Sequence, residues 1–151
     1  RGLRAGTENL IGICGLHKAL SLSYSNLETD KKHISGLREY MKNELTSYFG
    51  DQIRINGCEE NSLYTVLSVS FPNNDNNSLL LFKLDMKGIG LSGGSACNSG
   101  ADQGSHVIRG IYPNAADYIP LRFSFCKNNT KEEVDFCLEA LKELVEIKVT
   151  A

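Results

Sequence analysis

The stretch Ile53-Arg54-Ile55-Asn56-Gly57-Cys58-Glu59-Glu60-Asn61-Ser62-Leu63-Tyr64-Thr65-Val66-Leu67-Ser68-Val69-Ser70-Phe71-Pro72 decides the fold class. Ile53-Arg54-Ile55 reads as a short strand that ends at Asn56-Gly57, and the β-branched run from Tyr64 to Phe71 reads as a second, stopped by Pro72. Strands over 53–56 and 66–71 leave too few residues between them for a crossover helix, so their pairing is antiparallel. Outward from this pair the spacing predicts helices on both sides. The expectation is an α+β, two-layer fold: a short, mostly antiparallel sheet with helices packed on one side.

On the N-terminal side, Thr7 stands before Glu8 and a mixed apolar stretch from Leu10 to Leu22, which marks Thr7 as a helix N-cap. Ile34, Leu37, Met41, Leu45 and Tyr48 recur at spacings of three and four, and Gly50 can end that helix. The polar Ser25-to-Asp30 stretch between the two patterns reads as a kink or hinge. On the C-terminal side, Asn73 to Asn77 reads as a loop, and Ser78 as the cap of a helix through Leu79, Phe82 and Met86 that stops at Gly88. Ile89 to Leu91 reads as a short strand, Ser92 to Gly104 as a flexible loop, and His106 to Ile111 as a short helix. Leu121 to Phe125 reads as a strand. Thr130 and Glu133 form a capping box ahead of an amphipathic helix carrying Val134, Cys137, Leu138, Leu141 and Val145.

The 151 residues suffice for one domain with its own core. A net charge of −2 supplies no field that would draw nucleic acid or an anionic membrane. No apolar run has the length of a membrane span, and no signal peptide is visible. The chain opens at Arg1 rather than at a methionine, so a piece of a longer protein is expected. The five cysteines (Cys14, Cys58, Cys97, Cys126 and Cys137) are odd in number and include no CxxC pair. Neither a disulfide framework nor a zinc site is expected, and reduced thiols in a cytoplasmic setting are.

Three features bear on chemistry. Cys97 sits in a Gly/Ser-rich stretch, Leu91-Ser92-Gly93-Gly94-Ser95-Ala96-Cys97-Asn98-Ser99-Gly100, rather than in a periodic apolar run, which suits an exposed, movable thiol. The other four cysteines lie in or beside helix and strand patterns and read as small buried hydrophobes. Arg122, within Leu121-Arg122-Phe123-Ser124-Phe125, puts a charge in a strand; it is a fork for a substrate carboxylate, half of an ordinary salt bridge, or an arginine on the solvent face of the strand. Gly6-Thr7 at a helix start is either a phosphate site or a plain cap. His17-Lys18 lies inside a helical stretch, so Lys18 reads as a solvated lysine. His33 and His106 have no partner at metal-ligand spacing and read as surface or capping residues.

Taken together, Arg1-Gly2-Leu3-Arg4-Ala5-Gly6-Thr7-Glu8-Asn9, Ser92-Gly93-Gly94-Ser95-Ala96-Cys97 and Arg122-Phe123-Ser124 resemble, in order and spacing, three motifs of the NifS-like cysteine desulfurases, within the class V aminotransferases. The resemblance implies that residues 1–28 are the end of a large cofactor domain with its linking helix. Residues 29–151 would be the small C-terminal domain, carrying the Cys loop at 92–104. It implies a pyridoxal 5'-phosphate (PLP) enzyme, homodimeric, converting L-cysteine to L-alanine and leaving a persulfide on Cys97. Arg122 would bind the substrate carboxylate, and Thr7 would reach the PLP phosphate of the other subunit. The lysine that anchors PLP is expected before Arg1, so PLP is not expected to bind this chain alone. The sulfur would pass to an acceptor or iron–sulfur scaffold protein, whose identity is left open. Another class V aminotransferase, a selenocysteine lyase, or a non-catalytic persulfide-carrying module are the competing readings. Two departures stand out: Gly93 in place of a second serine, expected to loosen the loop, and Cys126 in place of a common glycine.

Overall fold

A computed structural model describes residues 6–58, 60–93 and 105–146. Its elements are helix α1 (Leu10–Phe49), strands β1 (Arg54–Ile55) and β2 (Val66–Pro72), helix α2 (Leu80–Met86), strand β3 (Ser92–Gly93), helix α3 (His106–Ile111), strand β4 (Tyr118–Ser124) and helix α4 (Lys131–Leu144). The strands form one antiparallel sheet in the order β1-β2-β4-β3. The α+β expectation therefore holds, and so does the antiparallel pairing of the first two strands.

The pairing of β2 with β4 is the spine. Seven residue pairs run from Val66 opposite Ser124 to Pro72 opposite Tyr118. Side chains alternate between the two faces of a strand, so Leu67, Val69 and Phe71 share one face with Leu121 and Phe123, and all five are buried. Ile34, Leu37, Met41, Leu45 and Phe49 of α1, Leu80 and Leu84 of α2, and Val134, Leu138 and Leu141 of α4 close over that face in a single core. The opposite face carries Arg54, Ser68, Ser70, Arg122 and Ser124.

Helix α1 corrects two expectations. Its cap is Asn9, whose side chain accepts from the Gly12 amide at 3.0 Å, and Thr7 lies outside the helix. Asn caps as well as Thr does, and here it stands directly before the first helical residue. The polar Ser25-to-Asp30 stretch makes no break in the 40-residue helix. Ser25 Oγ and Asn26 Nδ2 each donate to the Leu22 carbonyl at 3.0 Å, so these side chains bond back onto their own helix. Burial divides the helix instead: from Ile34 onward its apolar residues are in the core, except that Phe49 is buried in place of the expected Tyr48, whereas Leu10, Ile11, Leu16, Leu20 and Tyr24 are exposed, Ile11 at 88%.

Three local signals are also displaced. Ser78 does not cap α2; its hydroxyl donates to Asp75 O, and the Asn74 side chain accepts from the Asn77 amide. Ile89 to Leu91 form no strand, because the chain there is still closing α2. Gly88, at φ +80°, donates to Asp85 O and Ile89 donates to Leu84 O, the paired bonds of a glycine-ended helix. The strand falls instead on Ser92 and Gly93, expected as loop. A Cβ at Gly93 would stand 3.0 Å from Leu81 Cδ2, so this glycine packs the strand against α2 rather than loosening a loop.

The C-terminal helix agrees with its reading. Glu133 N donates to Thr130 Oγ1 at 3.3 Å, and Thr130 N donates to Glu133 Oε2 at 3.1 Å. Tyr40 on α1 donates to Asp135 Oδ1 at 2.6 Å and tethers α1 to α4. That bond, with some desolvation and the nearby negative charge, raises the Tyr40 phenol from 10.0 to about 12.

Leu45 is fully buried, so Leu45→Ala should lower stability by about 2–5 kcal/mol in a denaturant titration. Because the Tyr40 pKa is raised on folding, its contribution is intact below pH 10.0 and fades as pH climbs towards about 12. Tyr40→Phe should remove that part of the alkaline decline, seen as a flatter stability profile over the same range.

Candidate functional site

The outward face of the sheet gathers its polar side chains into one row. Arg122 on β4 stands opposite Ser68 on β2 and opposite Ser92 on β3. Side chains directly opposite across strands lie about 4.5–5.5 Å apart at Cβ, so Arg122 rises between two small hydroxyl-bearing neighbours. Its side chain is exposed. Among the described residues it makes neither an ion pair nor a side-chain hydrogen bond, which removes the ordinary salt bridge within that set and leaves a solvent-face arginine or a carboxylate fork.

Behind Ser68 the row continues into a small network. Asn56 N donates to Ser68 O at 2.8 Å and extends the β1–β2 pairing by one residue. Asn56 Nδ2 donates to Ser68 Oγ at 3.1 Å, and Ser70 Oγ donates to Asn56 Oδ1 at 3.0 Å. Ser70 is fully buried on this face, and the Asn56 amide satisfies it, as a buried hydroxyl requires. A second cluster lies beside the first. The Arg54 guanidinium sits over the rings of Tyr118 (4.0 Å) and Tyr112 (5.4 Å) and donates to Asn114 Oδ1 at 2.9 Å. It ties β1 to the segment between α3 and β4.

Sequence reasoning did not pick out either cluster. The signal for the first was present: serine at 68 and 70 alternates with apolar residues in a strand whose other face is core. The second had no readable signal, since Arg54 and Tyr118 are 64 positions apart.

The remaining candidates fall as follows. Cys97 lies outside the described residues; β3, which leads into its segment, is hydrogen-bonded directly to the strand that carries Arg122. Thr7 is exposed before α1, with its hydroxyl unbonded among the described residues, and does not join Arg122 in one site. Lys18 is exposed on α1 as expected. His33 Nε2 lies 2.9 Å from Asn129 O, and His106 is the exposed first residue of α3. Cys137 is buried in the core as expected, but Cys14, Cys58 and Cys126 are exposed. Cys14 is on the uncovered half of α1, and the other two follow strand ends. Among the described residues no cluster of His, Cys, Asp and Glu could hold a metal ion, and no helix is long and apolar enough to cross a membrane.

A groove of about 500 Å³ opens on the other side of the sheet, lined by Met41, Leu91, Phe123, Phe125 and Cys137. Its lining is mixed, since Ser124, Asn129, Glu132 and Glu133 border it as well, and it does not include Arg122. Burial pushes its Cys137 thiol up to about 11, which keeps that sulfur protonated and unreactive at neutral pH. Brief alkylation by iodoacetamide at pH 8 should therefore label Cys14, Cys58 and Cys126 and spare Cys137, as read by peptide mass spectrometry.

The aminotransferase class-V family model matches residues 1–136. Cysteine desulfurase of Gluconacetobacter diazotrophicus is 34% identical over 146 residues, covering 96% of this chain and 36% of its own length. Cysteine desulfurase IscS of Dictyoglomus turgidum is 33% identical over 144 residues, covering 95% and 36%. The chain thus spans little more than a third of the curated relatives it matches. Among solved structures, a NifS-like protein superposes with a TM-score of 0.72 at 34% identity, over 95% of this chain and 35% of that one. A NifS-like protein from Rickettsia africae gives 0.69 at 25% identity, over 93% and 36%. A match over 136 of 151 residues, joined to the antiparallel sheet with its arginine on the open face, shows that this chain belongs to the aminotransferase class-V family.

Proposed function

We propose that this chain is the small C-terminal domain of a PLP-dependent cysteine desulfurase that converts L-cysteine to L-alanine and collects the sulfur as a persulfide on Cys97. The observation that carries the reading is Arg122. It is a charged fork with no carboxylate partner among the described residues, on the strand that pairs with the one feeding Cys97. Cys97 follows Gly93 by four residues, so chain connectivity keeps the two within about 14 Å. That tether, starting one strand away from Arg122, supports a substrate seated at Arg122 meeting the thiol. The relatives named cysteine desulfurase support the same assignment.

Arg122 holds the carboxylate with two charge-assisted hydrogen bonds and fixes one end of the amino acid. The Cys97 thiolate attacks the sulfur of L-cysteine. The new bond is S–S, the bond that breaks is the substrate's C–S bond, and its electron pair leaves with Cβ, which takes up a proton to give L-alanine. PLP, when bound, supplies the electron sink that makes Cβ able to accept that pair. Of the groups that would hold it, this chain offers the free hydroxyl of Thr7, suited to donate to a phosphate on the other subunit of a homodimer. None of the described lysines is buried, so none has the desolvated setting of a cofactor-anchoring lysine.

The exposed apolar half of α1 supports a domain border near residue 28. Residues 1–28 then belong with a larger cofactor domain, and residues 29–151 form the small domain. The persulfide would pass, in the cytoplasm, to an acceptor such as an iron–sulfur scaffold protein.

In the full-length protein, Cys97→Ala should abolish persulfide on the protein and reduce sulfide and alanine release from L-cysteine by at least about a hundredfold, as expected for loss of the nucleophile. Transamination that survives Cys97→Ala together with unchanged sulfide release would count against the reading. Residues 1–151 alone, mixed with stoichiometric PLP, should show no absorbance band of a lysine-bound cofactor.

A further inference from the structure

Arg122 is not the only donor on the open face that lacks an acceptor among the described residues. Ser68 Oγ accepts from Asn56 Nδ2 at 3.1 Å, which occupies one lone pair and leaves its O–H able to donate. No described residue takes that proton. The Ser92 hydroxyl, on the other flank of Arg122, likewise has no partner among the described residues. Both serines are half-buried. The outward-facing neighbours of Arg122 along β2 and β4 are Val66, Ser70, Pro120 and Ser124, none of them charged. The row therefore carries one positive charge, two flanking hydroxyl protons and no acidic residue.

A guanidinium flanked by two hydroxyls, with no acceptor for any of the three among the described residues, suits an anion. A carboxylate has about four lone-pair positions, and a guanidinium fork occupies two of them. The two left over can each accept from a hydroxyl, and Ser68 and Ser92 are the hydroxyl residues that flank Arg122.

We infer that Ser68 and Ser92 are substrate-binding residues that complete a three-donor seat for a single carboxylate around Arg122, with Asn56 orienting Ser68. This rests on the desulfurase reading for the identity of the substrate. It adds to that reading two contact residues and a reason for the serine-rich open face. The seat selects carboxylate over carboxamide, because a carboxamide is uncharged and offers the guanidinium fork one acceptor oxygen where a carboxylate offers two.

The test uses the full-length protein and equilibrium dialysis with labelled L-alanine and L-alaninamide. Ser68→Ala should weaken L-alanine binding by about tenfold, the loss expected for one hydrogen bond to a charged group, and leave the weaker binding of L-alaninamide within about twofold. Ser68→Thr, which keeps the hydroxyl, should restore the L-alanine affinity. Ser92→Ala should act in the same direction. With L-cysteine, KM should rise in both alanine variants. Unchanged L-alanine affinity in both overturns the inference, as does an equal loss for the acid and the amide, which would mark a merely structural role. Failure of the wild-type protein to bind L-alanine would overturn it as well. Wild-type protein that binds L-alanine but releases no sulfide from L-cysteine would sink the desulfurase reading and leave the carboxylate seat standing.

Discussion

The antiparallel register of β2 against β4 is the constraint on which everything else rests. Shifting one strand by a single residue would exchange the faces: Leu67, Val69 and Phe71 would meet water, and Ser68 and Ser70 would enter the core. The burial of five apolar side chains on one face makes that slip prohibitive. The same lock delivers Arg122 to the open face and sets Ser68 directly across from it. Core packing and the position of the arginine are thus two consequences of one register.

The edges of the sheet are adapted to different tasks. β1 is two residues long, yet Asn56 extends its pairing, and the Arg54 guanidinium lies over two tyrosine rings where cation–π attraction holds the adjoining segment. β3 is just as short and is packed against α2 at Gly93, where a Cβ would stand 3.0 Å from Leu81 Cδ2 and oblige that side chain to shift. The segment that bears Cys97 therefore departs from a fixed point, one strand away from Arg122.

Helix α1 illustrates how local and tertiary forces divide the work. Backbone hydrogen bonding, supported by the serine and asparagine side chains that fold back on Leu22, carries the helix without interruption through its most polar stretch. What changes along it is the covering. From Ile34 the apolar residues have partners in α4 and the sheet, and before Ser25 they have none within the described residues. The polar stretch marks a boundary of packing, not of secondary structure, because helix continuity depends on neighbours four residues apart and burial depends on residues a hundred positions away.

Much was legible in the sequence. A β-branched run stopped by Pro72 located β2, spacings of three and four located the buried half of α1 with Tyr48 as the exposed exception, and the Thr130–Glu133 capping box marked the start of α4. Arg122 and Cys97 stood out because a charge in a strand and a thiol in a Gly/Ser run are locally anomalous. Signals shared by near neighbours were less reliable: Asn9 displaced Thr7 as the cap, the glycine-ended turn of α2 consumed Ile89, and Gly93 was a strand residue held by a contact that no local pattern records. The amino-acid sequence by itself determined which faces are apolar and which residue types are available for chemistry, because those follow from periodicity and side-chain type. Only the tertiary structure decided that Arg122 lies without an ion-pair partner among the described residues between Ser68 and Ser92, because that arrangement depends on the register of three strands drawn from distant parts of the chain.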